Sequence, residues 1–269
     1  MPEGHTLHRL ARLHKRRYAG APVEVSSPQG RFAAEAERLD GQVLRGAEAY
    51  GKHLFHDYGP LGTVHVHLGL YGTFSESPLP AAEPVGQVRM RVVGRTHWAD
   101  LRGPTRCELL DAAQVDAIKA RLGPDPLRRD ARPERAWERI SRSRTSVAAL
   151  LMNQDVLAGV GNVYRAEVLF RHGVAPLIPG RALDRGLWDE MWADLVTLMR
   201  AGVRVGRIDT VAPEHLPAAM GRAPREDRHG GEVYVYRRAG LPCLVCATPV
   251  AHQELVGRNL YWCPTCQPS

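Results

Sequence analysis

Apolar positions change their period along the chain, and each change predicts a different kind of element. Over residues 6–18, Leu7, Leu10, Ala11 and His14 recur at helical spacing with Arg and Lys opposite, which predicts a helix capped by Thr6 or Gly4. From about residue 23 to residue 110 the pattern shortens to strands, at 43–44, 52–55, 62–68 and 89–93, separated by Gly, Pro and Asp. No helix of convincing length is expected among them, so this part reads as an antiparallel β-sandwich or barrel. Leu122-Gly123-Pro124-Asp125-Pro126 opens a linker rich in Pro and Arg. Helical spacing returns at 145–152, 164–172 and 183–201, the last with Leu187, Met191, Leu195 and Leu198 on one stripe. Residues 214–232 are polar and rich in Gly, Pro and charge, as a long loop is. The expected fold is therefore α+β, with flanking helices on an N-terminal β-sandwich (residues 1–121), a linker (122–136), a helical unit (137–232) and a cysteine-rich tail (233–269).

Composition narrows the choice of partner. With 269 residues the chain is long enough for two ordinary domains, and a net charge of +7 with a pI near 9.4 favours a polyanion, although a merely basic enzyme fits too. No apolar run reaches membrane-spanning length, and the basic N-terminus lacks the apolar core of a signal peptide, so a cytoplasmic location is expected. Four of the five cysteines fall in the last 27 residues, which argues for metal rather than disulfides.

The motifs carry candidate chemistry. Cys243-x2-Cys246, sixteen residues, then Cys263-x2-Cys266 is the spacing of a closed four-thiolate zinc site, structural rather than catalytic. The apolar and aromatic run between the pairs suits a β-hairpin, and Arg258 stands in it, either as a solvated turn residue or held against a phosphate. Cys107 lies apart and is expected in the core. In Gln154-Asp155-Val156-Leu157-Ala158-Gly159-Val160-Gly161-Asn162-Val163-Tyr164, one helix ends and another begins through two glycine turns, with Asn162 as a cap. That is either a plain turn or a backbone cradle for a phosphate. Lys52 follows Gly51 at a hairpin, where a lysine is ordinarily solvated. His65 and His67 share one face of a strand, as a metal pair, a phosphate contact or simple packing. Leu70-Tyr71 between Gly69 and Gly72 is either a buried turn or a wedge that fills the gap left by an extruded base. At the start, removal of Met1 would expose Pro2 as a secondary amine with Glu3 beside it, able to attack an aldehyde carbon.

Taken together these residues resemble the Fpg/Nei (formamidopyrimidine-DNA glycosylase / endonuclease VIII) family of bifunctional DNA glycosylases, most closely its Nei-like actinobacterial members. The resemblance runs the length of the chain. It includes Pro2-Glu3-Gly4, Gly51-Lys52, residues 67–72, Leu122-Gly123-Pro124-Asp125, residues 159–164, Gly257-Arg258 and Tyr261-Trp262-Cys263-Pro264-x-Cys266. It implies a helix–two-turn–helix domain followed by a zinc-finger β-hairpin with one structural Zn2+. It implies that Pro2 is the Schiff-base nucleophile, Glu3 the proton shuttle, and Lys52 a catalytic phosphate contact. Asn162 and Arg258 would clamp phosphates, Arg258 also serving δ-elimination. His67 and Arg121 would contact DNA, Glu167 would help position the proline, and Leu70 and Tyr71 would form the wedge. The expected partner is damaged double-stranded DNA, with single-stranded or forked DNA also open, and the expected protein is a monomer near the nucleoid. The expected lesions are oxidised pyrimidines; the alternatives are 8-oxoguanine and formamidopyrimidine, or damage binding without catalysis. Two departures stand out. His5-Thr6 replaces the family's Pro-Glu, removing a second carboxylate, and Gly69 replaces the Gln of Gln-Leu-Tyr.

Overall fold

In the computed structural model, residues 2–226 and 231–268 are described. The chain divides into two compact units, Met1–Arg121 and Leu122–Ser269.

The first unit opens with α1 (Gly4–Tyr18), whose N-cap is Glu3, with extended backbone, rather than Thr6 or Gly4. Leu7, Ala11, His14 and Tyr18 are buried along it, spaced three and four apart. Nine strands follow: β1 (Ala21–Ser26), β2 (Gln42–Leu44), β3 (Gly46–Tyr50), β4 (His53–Asp57), β5 (Thr63–His67), β6 (Thr73–Pro78), β7 (Val88–Val93), β8 (His97–Arg102) and β9 (Arg106–Leu110). They pair into two antiparallel sheets, ordered β2-β1-β7-β8-β6 and β3-β4-β5-β9. Alternation sets the inward face: in β1, Ala21, Val23 and Val25 are buried while Pro22, Glu24 and Ser26 are exposed. Val23, Val25, Met90, Val92 and Leu101 of one sheet share a core with Leu54, Val64 and Val66 of the other, joined by Leu7 and Tyr18 from α1.

One expectation fails here. A helix, α2 (Ala33–Leu39), does interrupt the strands. It is too short to show a period in sequence, and it forms because Phe32, Ala36 and Leu39 bury themselves in the same core. The unit ends with α3 (Ala112–Arg121).

The second unit begins inside the stretch expected to be a linker. Residues 122–126 are buried, and α4 (Pro133–Ile140) starts before residue 136. Gly123 donates its N–H to Gln154 O at 2.9 Å and lies so close to Val156 O that no Cβ would fit. Then come α5 (Val147–Met152), α6 (Asn162–Arg171) and α7 (Arg185–Val205). The apolar stripe of α7 carries Trp188, Met191, Leu195, Leu198 and Met199 into the core, and Leu187 packs at its margin. Of the stretch 214–232, residues 227–230 lie outside the described residues; the rest contains α8 (Pro217–Met220) just after a single turn at Pro213–His215, so it is not wholly loop. β10 (Ala251–Leu255) and β11 (Arg258–Trp262) form the terminal hairpin. Among the described residues no helix is long and apolar enough to cross a membrane.

Candidate active site and metal centre

In the first unit, Pro2 is half-buried and Glu3 fully buried at the start of α1. The N-cap position favours a carboxylate, since the helix dipole and unpaired N–H groups are positive there. Thr6 donates its backbone N–H to Glu3 O at 2.9 Å, and its hydroxyl lies 3.4 Å from His5 Nε2. His5 is buried, and burial above all, with Arg9 and His8 nearby, pushes it down to about 4.

Lys52 sits in the two-residue turn between Tyr50 and His53, which are cross-strand partners. Gly51 takes φ +56 there, a conformation open to glycine and costly for other residues. The four-stranded sheet presents two cross-strand rows on one face, polar but for Phe55. His53, His67 and Arg106 are in register across β4, β5 and β9, and so are Phe55, His65 and Glu108. His53 is close enough to His67, Lys52 and Arg121 for each to disfavour its protonation. Lys52, His67 and Arg121 are thus brought together around one ring. His65 Nδ1 lies 3.0 Å from Glu108 Oε1, and His65 Nε2 lies 2.8 Å from His53 Nδ1. Among the described residues the four terminal cysteines are the only group of three or more side chains that could hold a metal, so no third ligand joins His65 and His67. Cys107, half-buried against the core, has its thiol pushed up to about 12 by burial.

Leu70 and Tyr71 form a separate feature. They stand 40% and 86% exposed in the turn between β5 and β6, so the buried-turn alternative fails. An exposed phenol ring at a tight loop tip can enter a base stack.

In the second unit, the Gln154 amide organises the two turns between α5 and α6. It donates to Met152 O and Val160 O, and accepts from Gly159 N at 3.0 Å. Gly161, not Asn162, is the N-cap; Asn162 is the first helical residue, which frees its amide for other work. Its Nδ2 donates to Asn259 O at 2.9 Å, and the buried Arg165 donates both to Asn162 Oδ1 and to Asn259 O. Asn162 is thereby brought beside Arg258, which is exposed at the head of β11. The hairpin turn there places Val256 at φ +50 and Gly257 at φ +66.

Glu167 is fully buried and accepts four hydrogen bonds within its own unit. Oε2 accepts from Thr210 Oγ1 and Tyr234 N, both at 2.6 Å, and Oε1 accepts from Val235 N and Tyr236 N, both at 2.9 Å. A carboxylate has about four acceptor positions, and these partners fill them. It therefore clamps the segment leading into the terminal hairpin.

Cys243, Cys246, Cys263 and Cys266 gather with their sulfurs within 4.8 Å of one another. Contacts of 3.9 Å (Cys243–Cys266) and 3.4 Å (Cys246–Cys263) are far too long for disulfides. They suit a tetrahedron with Zn–S of about 2.3 Å, whose edges are about 3.8 Å. Four thiolates leave no open position, so the zinc is structural. Gln267 ties this knuckle to the helical core, accepting from Cys263 N and donating to Val174 O at 2.8 Å.

Sequence reasoning gave no role to Arg165, Gln267 or the partners of His53, which act through contacts made far along the chain and carry no local pattern. Gln154 lay inside a recognised motif, but its part in holding the two turns was not read from it.

A two-sheet unit with a proline-led helix, a helix–two-turn–helix and a four-cysteine hairpin define one class: the chain belongs to the Fpg/Nei family of bifunctional DNA glycosylases/AP lyases of base excision repair. Residues 1–107 match the family profile of the formamidopyrimidine-DNA glycosylase N-terminal domain, 122–213 that of its H2TH domain, and 240–268 that of the zinc finger found in FPG and IleRS. Within the family, Endonuclease 8 1 of Mycobacterium tuberculosis is 58% identical, with 99% of this chain and 100% of that protein aligned. Formamidopyrimidine-DNA glycosylase of Gloeobacter violaceus is 30% identical over 99% of this chain and 96% of its own length. The structure of Lactococcus lactis Fpg with DNA containing an abasic site superposes with a TM-score of 0.79, at 20% identity, over 99% of this chain and 100% of the other, and so shares the fold.

Proposed function

We propose that the protein excises oxidised pyrimidines from damaged double-stranded DNA through a Schiff base at Pro2, then cuts the strand by β,δ-elimination. The observation that carries the reading is the N-terminus, where a half-buried proline precedes a fully buried glutamate at a helix N-cap. Once Met1 is removed, the Pro2 amine has a pKa of about 8 and is partly neutral near pH 7. Its lone pair bonds to C1′ as the glycosidic bond breaks, and the base leaves with the proton that the amine gives up. The sugar ring opens as protonated Glu3 gives a second proton, drawn from solvent, to the ring oxygen, and a cationic iminium results. That iminium acidifies C2′; loss of a C2′ proton expels the 3′ phosphate, a second elimination expels the 5′ phosphate, and water releases Pro2.

Lys52, His67 and Arg121 form a basic face suited to backbone phosphate, and Lys52 assists the chemistry. Asn162 keeps a second amide hydrogen for a phosphate, and Arg258 presents a guanidinium beside it, serving the δ step as well. Leu70 and Tyr71 fill the gap left by the extruded nucleotide. Glu167 acts through the segment it clamps. Thr6, where the family has an acid, can only hydrogen-bond, so proton transfer rests on Glu3. A monomer acting in the cytoplasm at the nucleoid fits this role.

The Leu-Tyr wedge and the likeness to a protein named Endonuclease 8 1 favour pyrimidine lesions over 8-oxoguanine or formamidopyrimidine. Excision assays on thymine glycol and 8-oxoguanine duplexes, with single-stranded and forked DNA alongside, decide the range. For the reaction itself, borohydride traps a covalent complex between Met1-processed protein and abasic-site DNA, and Pro2→Gly weakens it. Tight binding without any trapping would leave a non-catalytic damage binder instead.

A further inference from the structure

We infer that His53 is a further positioning residue of the phosphate-binding face, held by Glu108 and His65 so that it ends their hydrogen-bond ladder as an acceptor behind His67. This rests on the reading of His67 as a phosphate contact. Tautomers set the direction of the ladder. An ionised carboxylate can only accept, so His65 Nδ1, 3.0 Å from Glu108 Oε1, carries a hydrogen. Neutral His65 then has a bare lone pair on Nε2. His53 Nδ1, 2.8 Å away, must donate to it. Neutral His53 is left with a lone pair on Nε2. Its ring packs against His67, with centroids 4.9 Å apart and planes tilted by 52°.

A bare lone pair among cations has a specific use. It repels a phosphate, which is itself an acceptor, so His53 does not bind DNA directly. What it can do is accept the second N–H of His67 when that ring becomes an imidazolium and gives its first N–H to a phosphate. The ladder thereby favours the protonated form of His67 once an anion arrives, and only then. In the free protein the ring stays neutral. Burial first, then His65, Lys52 and Arg106, hold His67 below its ordinary value. Burial, then His65, His67, Arg121 and Lys52, push His53 down to about 3. Tyr50 faces His53 from β3, Glu108 and Arg106 face His65 from β9, and Lys119 of α3 lies over Phe55 beside them. Lys52, Arg106, Arg121 and Lys119 are cationic, so a phosphate relieves their repulsion and lets one proton enter. DNA binding is therefore coupled to proton uptake at His67.

The test is calorimetric titration of the zinc-loaded protein with a duplex carrying a tetrahydrofuran abasic analogue, at neutral pH, in buffers of different ionisation enthalpy. Wild-type protein takes up about one proton per complex. His53→Asn keeps a donor for His65 but lacks the outer acceptor. It takes up almost none and binds about tenfold more weakly, as loss of one hydrogen bond to a charged group implies. His53→Phe, which preserves the ring packing, behaves the same way and guards against a folding defect in the first variant. A purely structural histidine would lower the melting temperature and leave proton uptake unchanged. Normal binding and borohydride trapping with no uptake in wild-type protein, or with equal uptake in both variants, would overturn this inference alone. Failure of wild-type protein to bind the duplex, or to be trapped on DNA with a natural abasic site, would overturn the underlying reading with it.

Discussion

Replacing Glu167 by Gln changes one atom and confronts a buried carboxylate site with a donor it has no place for. The carboxylate has no solvent exposure and receives Thr210 Oγ1 and Tyr234 N on one oxygen, Val235 N and Tyr236 N on the other. A glutamine can keep its oxygen toward Val235 and Tyr236. Its NH2 then faces Thr210 and Tyr234. The Thr210 hydroxyl can turn and accept, but the Tyr234 N–H cannot, so two donors meet in a dry site. One buried donor left unsatisfied costs about 1–3 kcal/mol, and losing charge assistance in the remaining bonds costs about 1–2 kcal/mol more. Against this, a neutral side chain escapes the desolvation of a buried charge. That relief is small here, because Arg171 and Arg238 already lie near enough to couple electrostatically with Glu167. The net loss is about 2–4 kcal/mol, or roughly 5–15 °C in melting temperature for a unit of this size.

Differential scanning calorimetry of the zinc-loaded variant measures the loss, and hydrogen exchange locates it. The amides of Tyr234, Val235 and Tyr236 exchange much faster in Glu167→Gln than in wild-type protein. Wild-type exchange at those three amides, or a melting temperature within about 1 °C of wild type, would refute the clamp. Weakened borohydride trapping with unchanged melting and exchange would instead favour direct positioning of Pro2.

Three further outcomes follow from the same geometry. Cys243→Ser, or prolonged chelation, removes the zinc and abolishes DNA binding while the first unit stays folded; metal analysis and circular dichroism of the two states check this, since structural zinc contributes about 10 kcal/mol or more to small domains. Tyr71→Ala leaves the melting temperature within about 1–2 °C, because an 86% exposed ring buries little, yet slows base excision under single-turnover conditions. Lowering the pH destabilises the first unit before most carboxylates titrate. His5 and His53 sit at about 4 and about 3 in the folded state against 6.5 unfolded, so between those values the unfolded chain binds more protons. Stability then falls as pH drops from 6.5 toward 4, by up to about 1.4 kcal/mol per pH unit for each histidine, and melting curves across that range read the slope.

What could be read from the sequence differs from what could not by the range of the interaction. The zinc site was legible because its four ligands come as two local pairs, and the spacing alone carries the geometry. The long helix was legible because Met191, Leu195 and Leu198 repeat within it, and the strands because their alternation is local. α2 was missed since seven residues hold too few turns to show a period, and its stability comes from Phe32 and Leu39 reaching a core built elsewhere. The roles of individual polar residues were hardest to see. Asn162 looked like a helix cap, but Gly161 caps the helix, and the Asn162 amide instead meets a carbonyl 97 residues away. Glu167 was matched to a proline-positioning role from its place in a motif, which gave no sign that it accepts from Thr210 Oγ1 and from three consecutive amides 67 to 69 residues downstream. His53 attracted no notice at all, because a histidine after a hairpin lysine is unremarkable until β5 and β9 supply His65 and Glu108. Motifs therefore marked the candidate residues, while long-range pairing determines which oxygen accepts and which nitrogen donates.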